Sequence, residues 1–343
     1  MTEQAANNGL TILITTYNAS SMIEETLSRL MTMEKVLGFD WEVLIVDNNS
    51  TDDTIEKARK FWDNQVELRI INEPQQGAGY SAFRGLKEAR YSWIGFVDQD
   101  NWLHSDWVIK AIKYIEEAEN AAIVCGRGYP VFESEKPAWF DRYQGNFAVG
   151  QQSKTNGNIE NGQAFFYNAG SIMRKAAFEE VLKTGFQPLM KSRATNHLLA
   201  GDDTEMQIMF RLLDWEIHYQ DDLCFDHFMP RKRLSRDYFR NMRMGMGTSS
   251  VYLGIYRNIL KAKINGQKPI PIDWKKALQN ALRRTIHDPL AIFASLIPKF
   301  SSNHRIASYW FALGEYRERR KLGKEFEVVQ NGIYAWMDQW LRL

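Results

Sequence analysis

The sequence predicts an α/β protein, with a mostly parallel central sheet flanked by helices and a C-terminal helical extension. Three observations point there. Short β-branched runs alternate with amphipathic stretches from about residue 10 to residue 125. Each of the first four runs is followed at once by a polar cluster. Past residue 230 the strand signal gives way to long, basic, helical stretches.

The elements follow in order. Leu10 to Thr15 is a short apolar, β-branched run suited to a buried parallel strand. Ser20 and Ser21 open a helical stretch to about Val36, with Met22, Ile23, Leu27, Leu30 and Met31 as its apolar stripe. Trp41 to Val46 is a second strand. Asp47 to Asp52 is a turn that caps the next helix, which runs to about Trp62. Val66 to Ile71 is a third strand, Ala78 to Arg90 a helix, and Trp93 to Val97 a fourth strand. A helix over about Ser105 to Glu119 leads to Ala121–Cys125. From about 127 to 170 the pattern loosens. Gly, Asn and Gln crowd Gln144 to Gly162, as in a mobile or substrate-facing loop. Periodicity returns near Ala169 to Leu182. The expected organisation is a catalytic domain over 1–235 and a basic helical region over 236–343.

Composition narrows the function classes. The chain has 343 residues, 44% hydrophobic and 25% charged, which is ordinary for a globular protein. Its two cysteines, Cys125 and Cys224, lack metal-ligand spacing and read as reduced core thiols. A disulfide scaffold is excluded, and a cytoplasmic setting is the expectation. The first residues lack the basic start and apolar core of a signal peptide. No run reaches the roughly 20 apolar residues that cross a bilayer. The net charge of +1 conceals a split: residues 231–343 carry 22 Lys+Arg against 8 Asp+Glu, a net +14, which leaves −13 for residues 1–230. A basic tail of this kind suits a polyanion such as phosphate or phospholipid; the plain alternative is a dipolar protein whose halves pack together.

In a parallel sheet, ligands sit beyond the carboxyl ends of the strands. Four polar clusters, Thr15–Asn18, Asp47–Asp52, Glu73–Gly79 and Asp98–Asn101, should therefore converge on one edge. Asp98 and Asp100 flank Gln99 at the end of a hydrophobic strand. Carboxylates are hard oxygen ligands that suit Mg²⁺ or Mn²⁺, and such an ion neutralises a departing diphosphate. The plain alternative is an acidic helix-capping turn. Thr16, Tyr17 and Asn18 are placed to meet a nucleobase, and Asp47 to accept a hydrogen bond from a base N–H. Ser50, Thr51 and Asp52 read as turn and cap residues. Further on, Gly201, Asp202 and Asp203 open a helix; there the acids either complement the helix dipole or include a general base. Arg231, Lys232 and Arg233 could grip phosphate, the two arginines in planar, bidentate contact, or form a solvated basic turn.

Taken together, Thr16-Tyr17-Asn18, Asp47 to Asp52, Gly77 and Gly79 with Arg84, and Asp98-Gln99-Asp100 resemble the inverting glycosyltransferase family 2 with its GT-A fold, over about residues 1–230. The resemblance implies that Thr16, Tyr17, Asn18, Asp47, Asn49, Gly77, Arg84, Asp98 and Gln99 bind a nucleotide-sugar, commonly uridine-linked. It implies Asp100 as the direct metal ligand, with His227 completing the metal or diphosphate shell. The Ala200–Met206 segment is similar to the family's Gly-Glu-Asp segment, with Asp202 in place of the usual Glu. Asp203 then matches the catalytic base, with Asp202 beside it. Arg231 and Arg233 are expected on the donor diphosphate or on the acceptor.

The implied activity is an inverting, metal-dependent glycosyl transfer that uses Mn²⁺ or Mg²⁺. The donor is a nucleotide-diphosphate sugar and the acceptor hydroxyl belongs to a saccharide or lipid-linked acceptor, in polysaccharide or glycolipid assembly. Three other readings compete. A nucleotidyltransferase would want a glycine-rich loop after the first strand, which Thr15 to Asn18 does not provide. An inactive transferase-like scaffold docking to membrane or nucleic acid would not need both acidic sites. A dinucleotide-dependent oxidoreductase would want the full glycine fingerprint after the first strand, whereas Gly77 and Gly79 follow the third. No nucleic-acid partner is expected. In the tail, Trp274 to His287 reads as an amphipathic helix, with Trp274, Leu278, Ala281, Leu282 and Ile286 on one face. With the apolar Leu290 to Phe300 it suits an anionic membrane surface, the inner face of the cytoplasmic membrane being the expected place; the alternative is a helix packed on the catalytic domain.

Overall fold

The structure, a computed structural model, describes residues 9–33, 36, 38–63, 66–160, 165–189, 201–297 and 304–341. The chain divides into two compact units. One comprises the described residues of 1–133, 144–186 and 214–229; the other comprises those of 134–143, 187–213 and 230–343.

The first unit is built on one sheet. Its elements begin with strand β1 (Gly9–Thr16), helix α1 (Ile23–Met31), β2 (Asp40–Asp47), α2 (Thr54–Phe61), β3 (Leu68–Asn72), α3 (Ala78–Glu88), β4 (Trp93–Asp98), β5 (Asn101–Leu103) and α4 (Trp107–Glu117). β6 (Ala121–Phe132) follows, then, in the second unit, the short α5 (Phe140–Tyr143). The first unit resumes with a 3₁₀ turn at Gln144–Phe147, β7 (Gly157–Asn158), β8 (Ile172–Arg174) and α6 (Lys175–Lys183). After α7 (Asp202–Leu212), which belongs to the second unit, the sheet is completed by β9 (Glu216–Met229).

The strand order is β3-β2-β1-β4-β8-β6-β9-β5, with β7 paired to β9. β3, β2, β1 and β4 run parallel, as short β-branched runs joined by helices should. The other half is mixed: β8 is antiparallel to β4 and β6, while β6 and β9 run parallel. The alternation of helix and strand signals revealed the parallel half. It did not reveal β5 or β8, three residues each, because neither is long enough to show a period. The core is apolar and continuous. Leu10, Ile12, Ile14, Val43, Ile45, Trp93, Trp107, Val108 and Phe225 belong to one buried cluster. Removing such surface from water supplies about 1.5–3 kcal/mol per large side chain. Cys125 and Cys224 are buried free thiols.

The second unit is helical. Beyond α7 it contains α8 (Arg236–Ile264), α9 (Trp274–Ile286), α10 (Pro289–Ser295), α11 (His304–Leu322) and α12 (Glu325–Leu341). Each start of α8, α9 and α10 has a side-chain cap. Ser235 Oγ accepts from Tyr238 N at 3.2 Å, and Asp273 Oδ1 accepts from Lys275 and Lys276 N. Asp288 Oδ1 accepts from Ala291 N at 3.0 Å, with Pro289 in the first turn. The crossing of α8 and α11 is a backbone contact: a Cβ on Gly247 would lie 2.0 Å from Phe311 O, and one on Gly314 2.0 Å from Met244 O. The expected helix over Trp274–His287 matches α9, and the apolar Leu290–Phe300 segment begins within α10; residues 298–300 lie outside the described residues. The expected single apolar face of α9 is divided. Ala281 is buried and Leu278 half-buried, while Leu282 and Ile286 stay exposed. Among the described residues no helix is long and apolar enough to cross a membrane.

Candidate active site

Register brings the strand ends together. Thr16 on β1 sits opposite Asp47 on β2, and Thr15 opposite Asp98 on β4. Asp47 in turn faces Asn72 on β3. Four parallel strands thus stop at one edge, and the polar clusters that follow them are neighbours.

Side chains tie these loops to one another. Asn18, at positive φ, donates its N–H to Ser50 Oγ at 2.9 Å and accepts at Oδ1 from Thr51 N at 2.8 Å. Asp47, half-buried, accepts at Oδ1 from Ser50 N at 3.1 Å. Asn48 is the clasp that sequence reasoning missed. Its buried amide donates to Glu73 O and Gln75 O at 3.0 and 2.7 Å and accepts from Gly77 N at 2.7 Å. Gly77 has φ 138°, a conformation closed to L side chains, so glycine is required where α3 begins. Asn49 is exposed, at φ 66°. Asp52 serves the turn, its Oδ1 accepting from Thr54 N at 3.1 Å, while the N-cap position of α2 is Asp53. An Asn in a turn motif reads as turn chemistry, which is why the role of Asn48 was hidden.

Gln99 does not point its carbonyl at open space. Its Oε1 accepts from Thr16 Oγ1 at 3.0 Å and from Tyr17 N at 2.9 Å, fastening the β1 loop to the β4 turn. Tyr17 is 44% exposed at this edge. Asp98 is exposed and accepts from Thr15 Oγ1 at 3.2 Å. Arg84 lies on α3, where its guanidinium pairs with Glu88 at 3.0 Å along an exposed flank.

Asp100 and His227 meet because β5 pairs antiparallel with β9, with Asn101 opposite His227 and Phe228 N donating to Asp100 O at 2.9 Å. Both side chains are buried, and His227 Nε2 lies 3.6 Å from Asp100 Oδ1. That is long for a hydrogen bond. It fits two ligands of one divalent ion, since metal–ligand bonds of roughly 2.1 Å place adjacent ligands about 3 to 4 Å apart. Asn101, fully buried, donates from Nδ2 toward Asp100 Oδ1 at 3.4 Å and accepts from Asp98 N at 3.2 Å, so it orders the turn between the two carboxylates. Among the described residues no group of three or more His, Cys, Asp or Glu side chains is arranged to hold an ion. Asp100 and His227 put one carboxylate and one imidazole at that spacing.

In the second unit, Asp202 and Asp203 open α7 after Gly201, whose φ of 124° and close approach to Leu253 require glycine. Asp202 is exposed and Asp203 half-buried. Residue 200 lies outside the described residues. Glu205, one turn in, is buried and accepts from Leu189 N at 2.8 Å. Burial and the neighbouring Glu205 carboxylate, which takes its hydrogen bond, push the Tyr256 hydroxyl far above its ordinary pKa. α7 is thereby clamped to α8. Arg231 and Arg233 occupy the turn between β9 and α8, Arg231 exposed and Arg233 half-buried.

The Glycosyl transferase family 2 profile matches residues 11–182, half of the chain. The chain belongs to glycosyl transferase family 2. Among its relatives, the glycosyltransferase GlyA of Streptococcus pneumoniae is 30% identical over 133 residues, covering 38% of this chain and 18% of GlyA. A chondroitin synthase of Escherichia coli is 26% identical over 141 residues, covering 40% of this chain and 20% of that enzyme. The matched segments thus span about a fifth of these longer relatives. Among solved structures, the mannosyltransferase PcManGT of Pyrobaculum calidifontis, in complex with GDP-Man and Mn²⁺, superposes with TM-score 0.53 at 15% identity, covering 97% of this chain and 88% of that one. TarS of S. aureus gives TM-score 0.51 at 15% identity, covering 92% and 55%. At such identities the likeness is one of fold, and it is the GT-A fold expected for family 2. The clustered loops at 16–18, 47–49, 77 and 98–100 lie inside the matched region; His227, Asp202, Asp203, Arg231 and Arg233 lie beyond it.

Proposed function

We propose that this family 2 glycosyltransferase transfers a sugar, with inversion, from a uridine-diphosphate donor to an acceptor hydroxyl in polysaccharide or glycolipid assembly, with Mn²⁺ or Mg²⁺ bound. The observation that carries the reading is the convergence of Thr16, Asp47 and Asp98 by strand register, with Asp100 and His227 3.6 Å apart beside them. The exposed Tyr17 ring offers a stacking face for the base, and Asp47 an acceptor for its N–H. Gln99 holds the Tyr17 backbone in place for both. Asp100 and His227 would hold the divalent ion, with donor phosphates and water completing its shell. When bound, that ion supplies charge neutralisation for the diphosphate as it leaves.

Asp203 is proposed as the base that takes the acceptor proton while the hydroxyl attacks from the face opposite the diphosphate. Its half-burial, against the exposed Asp202, supports this choice. A single displacement inverts the anomeric centre and needs no covalent enzyme intermediate. Arg231 and Arg233, two and four residues past the end of β9, suit the donor diphosphate or the acceptor. Attachment to the inner face of the cytoplasmic membrane would put the site beside a lipid-linked acceptor.

A nucleotide-release screen over uridine- and guanosine-diphosphate sugars, run with Mn²⁺, Mg²⁺ and chelator, tests the donor and metal together. Metal-dependent release from a uridine donor is expected, and release indifferent to chelator would refute the metal reading. Asp203→Asn is expected to lower transfer at least a thousandfold with donor affinity nearly unchanged. Transfer at a comparable rate would exclude Asp203 as the base.

A further inference from the structure

The second unit holds a feature that donor chemistry does not use. An open cleft of about 390 Å³ lies among α8, the α9–α10 joint and α11. Cationic and titratable side chains dominate its wall: Arg243, Arg284, His287, His304 and Arg305, against the single carboxylate of Asp288. Arg305 pairs with Asp288 at 2.9 Å, so that acid is already matched. Arg284 pairs at 2.7 Å with Glu315, a buried carboxylate that Arg319 also holds at 2.9 Å. The cleft wall thus keeps an excess of positive charge over its own acids.

Apolar side chains bracket the same joint. Leu282 and Ile286, one turn apart at the end of α9, are exposed. On α10 the residues Leu290 and Phe293, with Leu296 just past its end, are 69%, 65% and 75% exposed. Their spacing of three places them along one side of a short helix. Between the two sets lie His287, Asp288 and Pro289, the first two lining the cleft. α10 is held at this place by the Arg236 guanidinium, which donates to Ser295 O, and by burial of Ala291. A packed core would have covered five large apolar side chains; water gains nothing from them. The surrounding segment is strongly basic, with 22 Lys+Arg against 8 Asp+Glu over residues 231–343.

We propose that the α9–α10 joint docks on an anionic phospholipid surface, with Leu290, Phe293 and Leu296 entering the boundary between headgroups and acyl chains and a lipid phosphate seated in the Arg- and His-lined cleft. Charge complementarity selects this occupant over a second copy of the chain, whose matching face would bring the same cations into opposition. An amphipathic helix beside a basic pocket combines the two forces that hold proteins at such interfaces, apolar insertion and attraction to negative headgroups. The proposal names the docking face and does not depend on the donor or on the base.

Flotation of the full-length protein with vesicles tests it without any substrate. Vesicles of phosphatidylcholine with phosphatidylglycerol are expected to carry the protein, and phosphatidylcholine alone to carry at least about tenfold less. L290E/F293E, at exposed positions and with its fold checked by thermal denaturation, is expected to lower anionic-vesicle binding at least about tenfold. R305E is expected to weaken it less and to flatten its salt dependence. Equal binding to neutral vesicles, or undiminished binding by L290E/F293E, would overturn the proposal. So would wild-type self-association, by sedimentation, that L290E/F293E abolishes in the absence of vesicle binding. Nucleotide release by L290E/F293E in solution should match wild type. Its loss with vesicle binding retained would count against this assignment and leave the donor reading untouched.

Discussion

Asn48 holds three backbone groups from the segment after β3 with one buried amide. Gln76, just before α3, returns a bond from its Nε2 to Asn48 O at 3.2 Å. Asn48→Ala strips the Gly77 N–H and two carbonyls of their partner at once. Leaving such groups unsatisfied costs roughly 1–3 kcal/mol each when they stay dry, so about 2–3 kcal/mol is expected once water relieves some of them. Chemical denaturation of N48A against N49A measures it: the exposed Asn49 should cost far less. Asp52 governs a different property. Burial raises its pKa, but hydrogen bonds from Thr54 and Ser20 outweigh burial and hold the carboxyl below the ordinary 3.8. A pKa lower in the folded than in the unfolded chain stabilises above the unfolded value and is lost as pH falls through the folded one. Melting temperature should therefore fall below about pH 4, and D52N should flatten that limb. Equal slopes in wild type and D52N would exclude Asp52 as a source.

At the scale of elements, what was legible and what was not divides by length. The runs Leu10–Thr15, Trp41–Val46 and Trp93–Val97 announced their strands, and the polar residues just past them announced an edge. β5 carries only Asn101, Trp102 and Leu103, yet its pairing with β9 is what sets Asp100 beside His227. That pairing spans more than a hundred residues of chain, beyond the reach of any local pattern. Gln99 was expected among ligand contacts; in the structure its oxygen is engaged by Thr16 and Tyr17. The α8–α11 crossing was also hidden, because glycines in helices read as weak points. Here Gly247 and Gly314 each admit the backbone of the opposite helix. Gly314→Ala would set a Cβ 2.0 Å from Met244 O, so a loss of at least about 2 kcal/mol is expected, above that of Gly254→Ala, where an added Cβ would meet no neighbour. Denaturant titration of both variants decides it; equal stability would mean that the crossing yields without cost.

On the scale of the whole molecule, sequence order and compact units do not coincide. α7 lies between segments of the sheet unit in the chain, yet it packs within the helical unit. α8 supplies its support: Leu253 lies against Gly201, Tyr256 bonds Glu205, and Lys263 Nζ donates to Leu212 O at 2.7 Å. A fragment ending at residue 235 keeps the loops around Asp47 and Asp100 but loses every one of these contacts. Limited proteolysis should cut such a fragment within 202–212 much faster than the full chain. Matching protection would show that α7 is held by other means. The split of charge between residues 1–230 and 231–343 was legible from composition alone, whereas the division of α9 into buried and exposed sides required the packing on α11.

The close meeting of Gly247 and Gly314 has a mechanical consequence. α8 is a single rod of 29 residues, and the turn that presents Asp202 and Asp203 rests on its Leu253, less than two helical turns from Gly247. A rod pressed backbone to backbone against its neighbour has no slack at the fulcrum. One added methyl there has to shift the rod on which Gly201 rests, so a substitution that never touches Asp202 or Asp203 should loosen their turn and be read as faster proteolysis within 202–212.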